Sequence, residues 1–137
     1  MSGRRGSALL EFAIAWPVAL LLVMASVQLS VWASESYAVR QAALVGARAG
    51  SAADGSAAIA QEVALEALRP ALVGVVAVPW CAVSRTPQPR LWVCVTWSTT
   101  AVEVRVGGSV PALAPLLPGG RGLPVAADVT LAREAFQ

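Results

Sequence analysis

The sequence predicts an α+β protein: a long N-terminal helix whose first half is a single transmembrane span, a second short helix, and a small antiparallel sheet of three to four strands. Three observations carry this expectation. Residues 12–34 form 23 consecutive positions without a charge, residues 34–69 are rich in alanine at helical spacing, and from residue 73 valine recurs with the alternation of a strand. The overall balance agrees, with 57% hydrophobic and 13% charged residues, where an ordinary soluble domain has about 45–50% and about 25%. Mean hydropathy is +0.67, and 137 residues leave room for one small domain beside the span.

As a helix, residues 12–34 reach about 34 Å, enough to cross a hydrocarbon layer of about 30 Å. Trp16 and Trp32 stand near its two ends, where amphipathic rings favour the headgroup level. Arg4 and Arg5 flank the N-terminal end closely, whereas Arg40 is the first cation beyond the other end. The positive-inside rule then places the N-terminus in the cytoplasm and residues 34–137 outside, as a single-pass protein of the cytoplasmic (inner) membrane. Two residues depart from an ordinary span. Glu11 puts a carboxylate at the edge of the apolar run, where burial without a partner is expensive. Pro17 removes one helical hydrogen bond and clashes with the carbonyl four residues back, so a kink or loosening is expected over residues 13–17.

The charge pattern excludes several functions. Ten arginines, no lysine and eight carboxylates give +2; without Arg4 and Arg5 the side chains sum to 8 − 8 = 0, which leaves no basic field for nucleic acid. Histidine is absent, and with it the commonest general base and metal ligand. No serine has a histidine or lysine to activate it. Asp54, Glu62, Glu66, Glu103, Asp128 and Glu134 show no paired spacing, and Gly119-Gly120-Arg121-Gly122 lies between prolines without the strand and helix of a phosphate loop. The expectation is a non-enzyme without metal, cofactor, nucleic-acid or small-molecule partner.

The segment Arg4-Arg5-Gly6-Ser7-Ala8-Leu9-Leu10-Glu11-Phe12, followed at once by apolar helix, resembles a short type IVb prepilin leader. That resemblance implies a leader of residues 1–6, cleavage between Gly6 and Ser7 by a prepilin peptidase, and Glu11 and Phe12 as the fifth-position glutamate and its aromatic neighbour. A charged N-terminal amine among apolar helices needs an anion, and Glu11 of a neighbouring subunit can supply it. Glu11-Phe12-Ala13 with Pro17, then Trp32-Ala33 and Ala42-Ala43-Leu44-Val45-Gly46-Ala47-Arg48-Ala49, is similar to the TadE-like family of minor pseudopilins from tight-adherence pilus systems. Val45 stands where that family usually has glutamate. A looser similarity continues through Leu117-Pro118-Gly119 and residues 123–127 to Glu134-Ala135-Phe136. The resemblance implies a pilin-like fold. It also implies other pilins and pseudopilins, a prepilin peptidase, and an ATPase-driven pilus assembly platform as partners.

Past the span the helix continues over residues 34–50, with Ala38, Ala42, Gly46 and Ala49 on one face. Together with Ala47, Arg48 and the kinking Pro17 these are the candidate helix-packing positions, because small side chains admit a neighbouring backbone. Asp54-Gly55 signals a turn, and Ser56 can cap a second helix over residues 56–69, with Ile59, Val63 and Leu68 roughly on one side of an amphipathic helix and Pro70 limiting it. Residues 73–83 and 91–97 read as strands around a loop at 84–89. Antiparallel pairing that sets Cys81 opposite Cys94 also sets Val78, Trp80 and Ala82 against Trp97, Val95 and Val93. A Cys81–Cys94 disulfide fits an extracytoplasmic address; two buried free thiols are the other reading.

Val102, Val104 and Val106 should share one face of a further strand and Glu103 and Arg105 the other, with Gly107-Gly108 ending it. Residues 111–124 read as an irregular loop, with a last strand over residues 123–131. Trp80, Trp92 and Trp97 are expected in the core or on a sheet face, and Trp92 becomes a subunit contact if it is exposed beside Cys94. Two other functions remain open from the residues. One is a secreted binding module whose signal peptide, residues 1–33, ends in Val31-Trp32-Ala33; the other is an unprocessed membrane-anchored protein.

Overall fold

The computed structural model describes residues 3–69, 75–82, 88–111 and 122–133. Helix α1 (Gly3–Ser51) has 49 residues, a length of about 73 Å at about 1.5 Å per residue. Helix α2 (Ala57–Leu68) follows, and then strands β1 (Val78–Pro79), β2 (Leu91–Trp97), β3 (Ala101–Val110) and β4 (Leu123–Ala132), side by side in that order. The architecture is the α+β arrangement expected, with a four-stranded sheet.

Helix α1 has two regimes. Up to Ser34 nearly every side chain whose burial is described is exposed; only Gln28 and Val31 are partly covered. Ser26 and Ser30 sit in this apolar stretch without leaving a hydroxyl unsatisfied, because each donates back to its own helix, to the Val23 carbonyl at 2.8 Å and the Ser26 carbonyl at 2.9 Å. Pro17 lies inside the helix, and α1 runs through it without interruption. One absent N–H does not end a helix that continues for about nine turns beyond it.

From Glu35 onward the same helix is packed. Val39, Ala42, Ala43 and Ala47 are fully buried, and the glycines among them set the spacing to α2. A Cβ on Gly46 would lie 2.8 Å from both the Ala60 carbonyl oxygen and the Ala64 Cβ, and one on Gly50 would lie 2.8 Å from Ala60 Cβ and 3.0 Å from Val102 Cγ1. Small residues on both helices let the two backbones approach and share one core. Ser56 caps α2 as expected, its hydroxyl accepting from the Ile59 N–H at 3.2 Å. Of Ile59, Val63 and Leu68, expected on one side, Leu68 is inside with Ala60 and Ala64, while Val63 is partly covered and Ile59 exposed. The close approach at Gly46 and Gly50 leaves space only for alanine at positions 60 and 64, and Leu68, beyond that approach, is the bulky residue that enters the core.

The sheet departs from the expectation in two places. β1 pairs with β2 in parallel, Val78 beside Trp92 and Pro79 beside Val93, so the sheet is mixed rather than antiparallel. The hairpin register of Val78, Trp80 and Ala82 against Trp97, Val95 and Val93 is not formed. Pro79 has no N–H to give a ladder, and the pairing is limited to two residues plus the Trp80 N–H on the Val93 carbonyl at 3.0 Å. Of the expected strand at 73–83, only Val78–Pro79 is strand among the described residues.

The second departure is β3, which continues through Gly107 and Gly108 to Val110. These glycines admit neighbours and do not break the strand. A Cβ on Gly107 would lie 2.7 Å from Trp92 Cζ2, and Gly108, at φ 154°, has the Arg90 carbonyl oxygen where a Cβ would go. Val102, Val104 and Val106 are buried on one face, as the alternation required, and β4 closes the sheet over the expected stretch. Residues 70–74, 83–87, 112–121 and 134–137 carry the expected Pro70, the loop start at Ser84 and the proline-rich segment, and they lie outside the described residues.

Cys81 and Cys94 form a disulfide with Cα atoms 4.9 Å apart. It ties β1 to β2 where the hydrogen-bonded ladder is only two residues long. Closing a loop with a sequence separation of 13 is worth about 3 kcal/mol. Reduction, or replacing both cysteines by serine, is expected to lower unfolding stability by about 2–3 kcal/mol, read as a shifted denaturation midpoint of the full chain in micelles. An unchanged midpoint would mean that β1 is held without the bond.

Candidate functional site

The feature of α1 that needs an explanation is its uncovered half. Phe12, Leu22 and Leu29 each have about two-thirds of their surface exposed, at 65%, 67% and 63%. The most apolar window of the helix has a mean hydropathy of 2.1, and none of it is buried. About 25 cal/mol is lost for each Å² of apolar surface left in water, so this stretch calls for lipid or other helices around it. Glu11 stands at the head of a groove along it, lined by Ile14, Ala15, Val18, Ala19 and Leu22. The alanines leave the groove floor low, and the carboxylate has no partner among the described residues. On the adjoining face Phe12 and Trp16 stack one turn apart, with ring centroids at 6.0 Å and planes inclined by 21°.

The other sequence-derived positions divide. Gly6 and Ser7 lie in the first turns of α1. Ala42, Gly46 and Ala47 are buried against α2 and the sheet, whereas Ala38 is half-covered and Arg48 exposed. The small-residue stripe is therefore satisfied inside the domain, and Pro17 belongs to the uncovered half. Cys81 and Cys94 hold the sheet edge. Trp92 is half-buried, packed on Trp80 at 5.5 Å and across Gly107. Among the described residues no cluster of His, Cys, Asp or Glu can hold a metal ion.

One contact and one buried carboxylate do not read from the sequence. The indole of Trp32 donates to the Pro124 carbonyl at 3.1 Å, which latches the end of the uncovered half onto β4. Glu35, one turn further, is 9% exposed, and its Oε2 has no hydrogen-bond partner among the described residues. Its spacing to Val39 and Ala42, four and seven residues, could have flagged it as inward-facing. Burial pushes its carboxyl above the usual range.

Because a raised folded pKa means that the folded state holds the proton longer than the unfolded state, stability falls as pH rises through the window above the ordinary carboxylate range. Glu35→Gln is therefore expected to raise the melting temperature at pH 7 and to match the wild type near about pH 4. Equal melting temperatures at both pH values would show that the carboxylate is solvated.

The fold and the uncovered helix together define a class: an α+β domain carried on one N-terminal helix long and apolar enough to cross a membrane. Residues 6–48 match the family model described as TadE-like protein, the family that Glu11-Phe12-Ala13, Pro17 and Ala47-Arg48 resemble. No curated protein and no solved structure matches. The match ends within α1, and with the apolar helix it fits a single-pass membrane protein related to tight-adherence pili.

Proposed function

We propose that this chain is a minor pseudopilin that acts in assembly or priming of a tight-adherence, type IVb pilus. In this reading a prepilin peptidase cuts between Gly6 and Ser7, and the uncovered half of α1 waits in the cytoplasmic membrane with the α+β domain outside. The helix then leaves the bilayer sideways to pack among the helices of companion pilins and pseudopilins, moved by an ATPase-driven platform. Glu11 neutralises an N-terminal amine buried in that bundle, and the groove over Ala15 and Ala19 receives a neighbouring helix. The protein catalyses no reaction.

The observation that carries the reading is the change within one continuous helix. From Glu35 onward α1 is packed by its own domain, and before it almost nothing covers the side chains. A cleaved signal peptide needs neither the continuity of α1 across residue 33 nor the Trp32 indole bonded to Pro124. Mass spectrometry of the mature N-terminus tests the proposal. A chain starting at Ser7 supports it, one starting at Ser34 replaces it with secretion, and an intact Met1 replaces it with an unprocessed anchor.

A further inference from the structure

β4 is a ten-residue edge of the sheet, and the direction of its backbone groups follows from the alternation of a strand. The Arg133 N–H donates to the Thr100 carbonyl at 2.9 Å, so the odd-numbered residues of β4, from Val125 to Leu131, turn both backbone groups toward β3. Even-numbered residues turn theirs to the outside. The Pro124 carbonyl agrees, since it accepts from Trp32 instead of from β3. Pro124 also stands where no ladder bond is lost for want of an N–H. The N–H and C=O groups of Ala126, Asp128, Thr130 and Ala132 face outward and bond to nothing among the described residues.

Two further features accompany this open ladder. Ala127, Val129 and Leu131, on the core side of β4, are only partly buried. Asp128 is exposed in the middle of the strand, and its register partner Arg105 is engaged elsewhere. Arg105 Nε and Nη2 both bond Glu103 Oε1, at 2.6 Å and 2.5 Å, so Asp128 has no charge partner among the described residues.

We propose that this edge receives an extended segment of a partner protein, in which apolar residues alternate with polar ones and an arginine or lysine lies beside Asp128. β3 shows what the core side of β4 accepts, Val102, Val104 and Val106, and Asp128, left over by Arg105, gives the place of the cation. Backbone bonds supply the affinity and the alternating side chains the selectivity.

A second copy of this chain does not fit, a step that rests on the membrane reading. Trp32 meets the start of β4 at Pro124, and Gly50 meets Val102, the register partner of Leu131. β4 therefore runs in the same direction as α1. Antiparallel pairing of two β4 strands would point the two spans in opposite directions. A rotation about the strand direction would join the valine face of one copy to the polar face of the other.

The test uses the full-length, 15N-labelled protein in detergent micelles and a synthetic peptide copying residues 101–107, whose odd-numbered positions fall opposite Ala126, Asp128, Thr130 and Ala132 in the β3 register, with Glu103→Thr so that its arginine is free. Amide exchange at Ala126, Asp128, Thr130 and Ala132 is expected to slow about tenfold or more with the peptide, while the odd-numbered amides, already paired, change little. A peptide with its arginine replaced by glutamate should bind about fivefold or more weakly, and Asp128→Arg should reverse the preference. The proposal is overturned by any of three results: slow exchange at those four amides before peptide is added, which places this chain's own segments on the edge; a dimer in sedimentation that blocks them; or no response, or an equal response, to the two peptides.

Discussion

Valine in place of Gly46 is expected to lower the stability of the helix–sheet domain by about 3 kcal/mol or more. The site has no room on the α2 side: the first added carbon already lies 2.8 Å from the Ala60 carbonyl oxygen and from Ala64 Cβ. Both obstacles belong to the short stem of a helix and have no rotamer into which to retreat. Valine adds two more carbons, so α1 and α2 must separate, and the separation reaches Gly50, Val102 and the valine layer behind them. Alanine at the same position sits between the two, because about 1 kcal/mol of helix propensity gained over glycine offsets part of the overlap.

Against a total of about 5–15 kcal/mol for a domain, the valine variant should stay mostly folded in the absence of denaturant but unfold at a clearly lower midpoint. Tryptophan fluorescence during denaturation of the full chain in micelles measures the effect. Arg48→Ala, two residues away on the exposed side, is expected to change the midpoint by no more than about 0.5 kcal/mol. A Gly46→Val protein with the wild-type midpoint would show that the two helices do not meet there.

The parts of the fold that read well in the sequence are those set by one-dimensional periodicity. The uncharged run and the alanine spacing sufficed for α1, and the Val102, Val104, Val106 alternation sufficed for the inner face of β3, because each pattern reflects a single element meeting a single environment. The pairing of β1 did not read. Valine content at residues 73–83 says that a strand is affordable there, but its direction depends on how the chain travels from Pro79 to Leu91, and the aligned cysteines favoured a hairpin with equal chemistry. A disulfide needs only two Cβ atoms in reach, so Cys81 and Cys94 found each other with the strands running the other way.

Glycine misled for a related reason. Gly107-Gly108 has the composition of a strand end, yet in β3 the pair makes space for Trp92 and the Arg90 carbonyl, a demand made by residues fifteen or more positions away. The same holds for α2, where the small residues of α1 select Ala60 and Ala64 for the inner face beside Leu68 and leave Ile59 outside. For the candidate site, Glu11 and Pro17 stood out because each violates the rule of its surroundings. Glu35 violates a rule as well, but its immediate neighbours are Ser34 and Ser36, and only the helical spacing to Val39 and Ala42 marks the carboxylate as inward-facing.

Glu11→Ala is expected to leave membrane insertion unchanged and to reduce piliation by about two orders of magnitude or more. Alanine makes the apolar run longer and removes no targeting charge, so the amount of protein in the membrane fraction should not fall. What it removes is the anion at the head of the groove formed by Ile14, Ala15, Val18, Ala19 and Leu22. If a processed N-terminal amine enters a bundle of such helices, leaving it unpaired costs about 3–5 kcal/mol, which at about 1.4 kcal/mol per factor of ten lowers incorporation by roughly two to three and a half powers of ten. Glu11→Gln keeps the shape and the hydrogen-bonding oxygen but not the charge, and it should fail nearly as badly. Glu11→Asp keeps the charge on a shorter stem and should recover part of the pili. Electron microscopy of piliated cells, with immunoblots of membrane fractions as the insertion control, reads all three. Normal pilus numbers with Glu11→Ala would remove the amine-pairing role. Loss of the protein from the membrane would instead place Glu11 in insertion, and the groove along Ala15 and Ala19 would then need a different occupant.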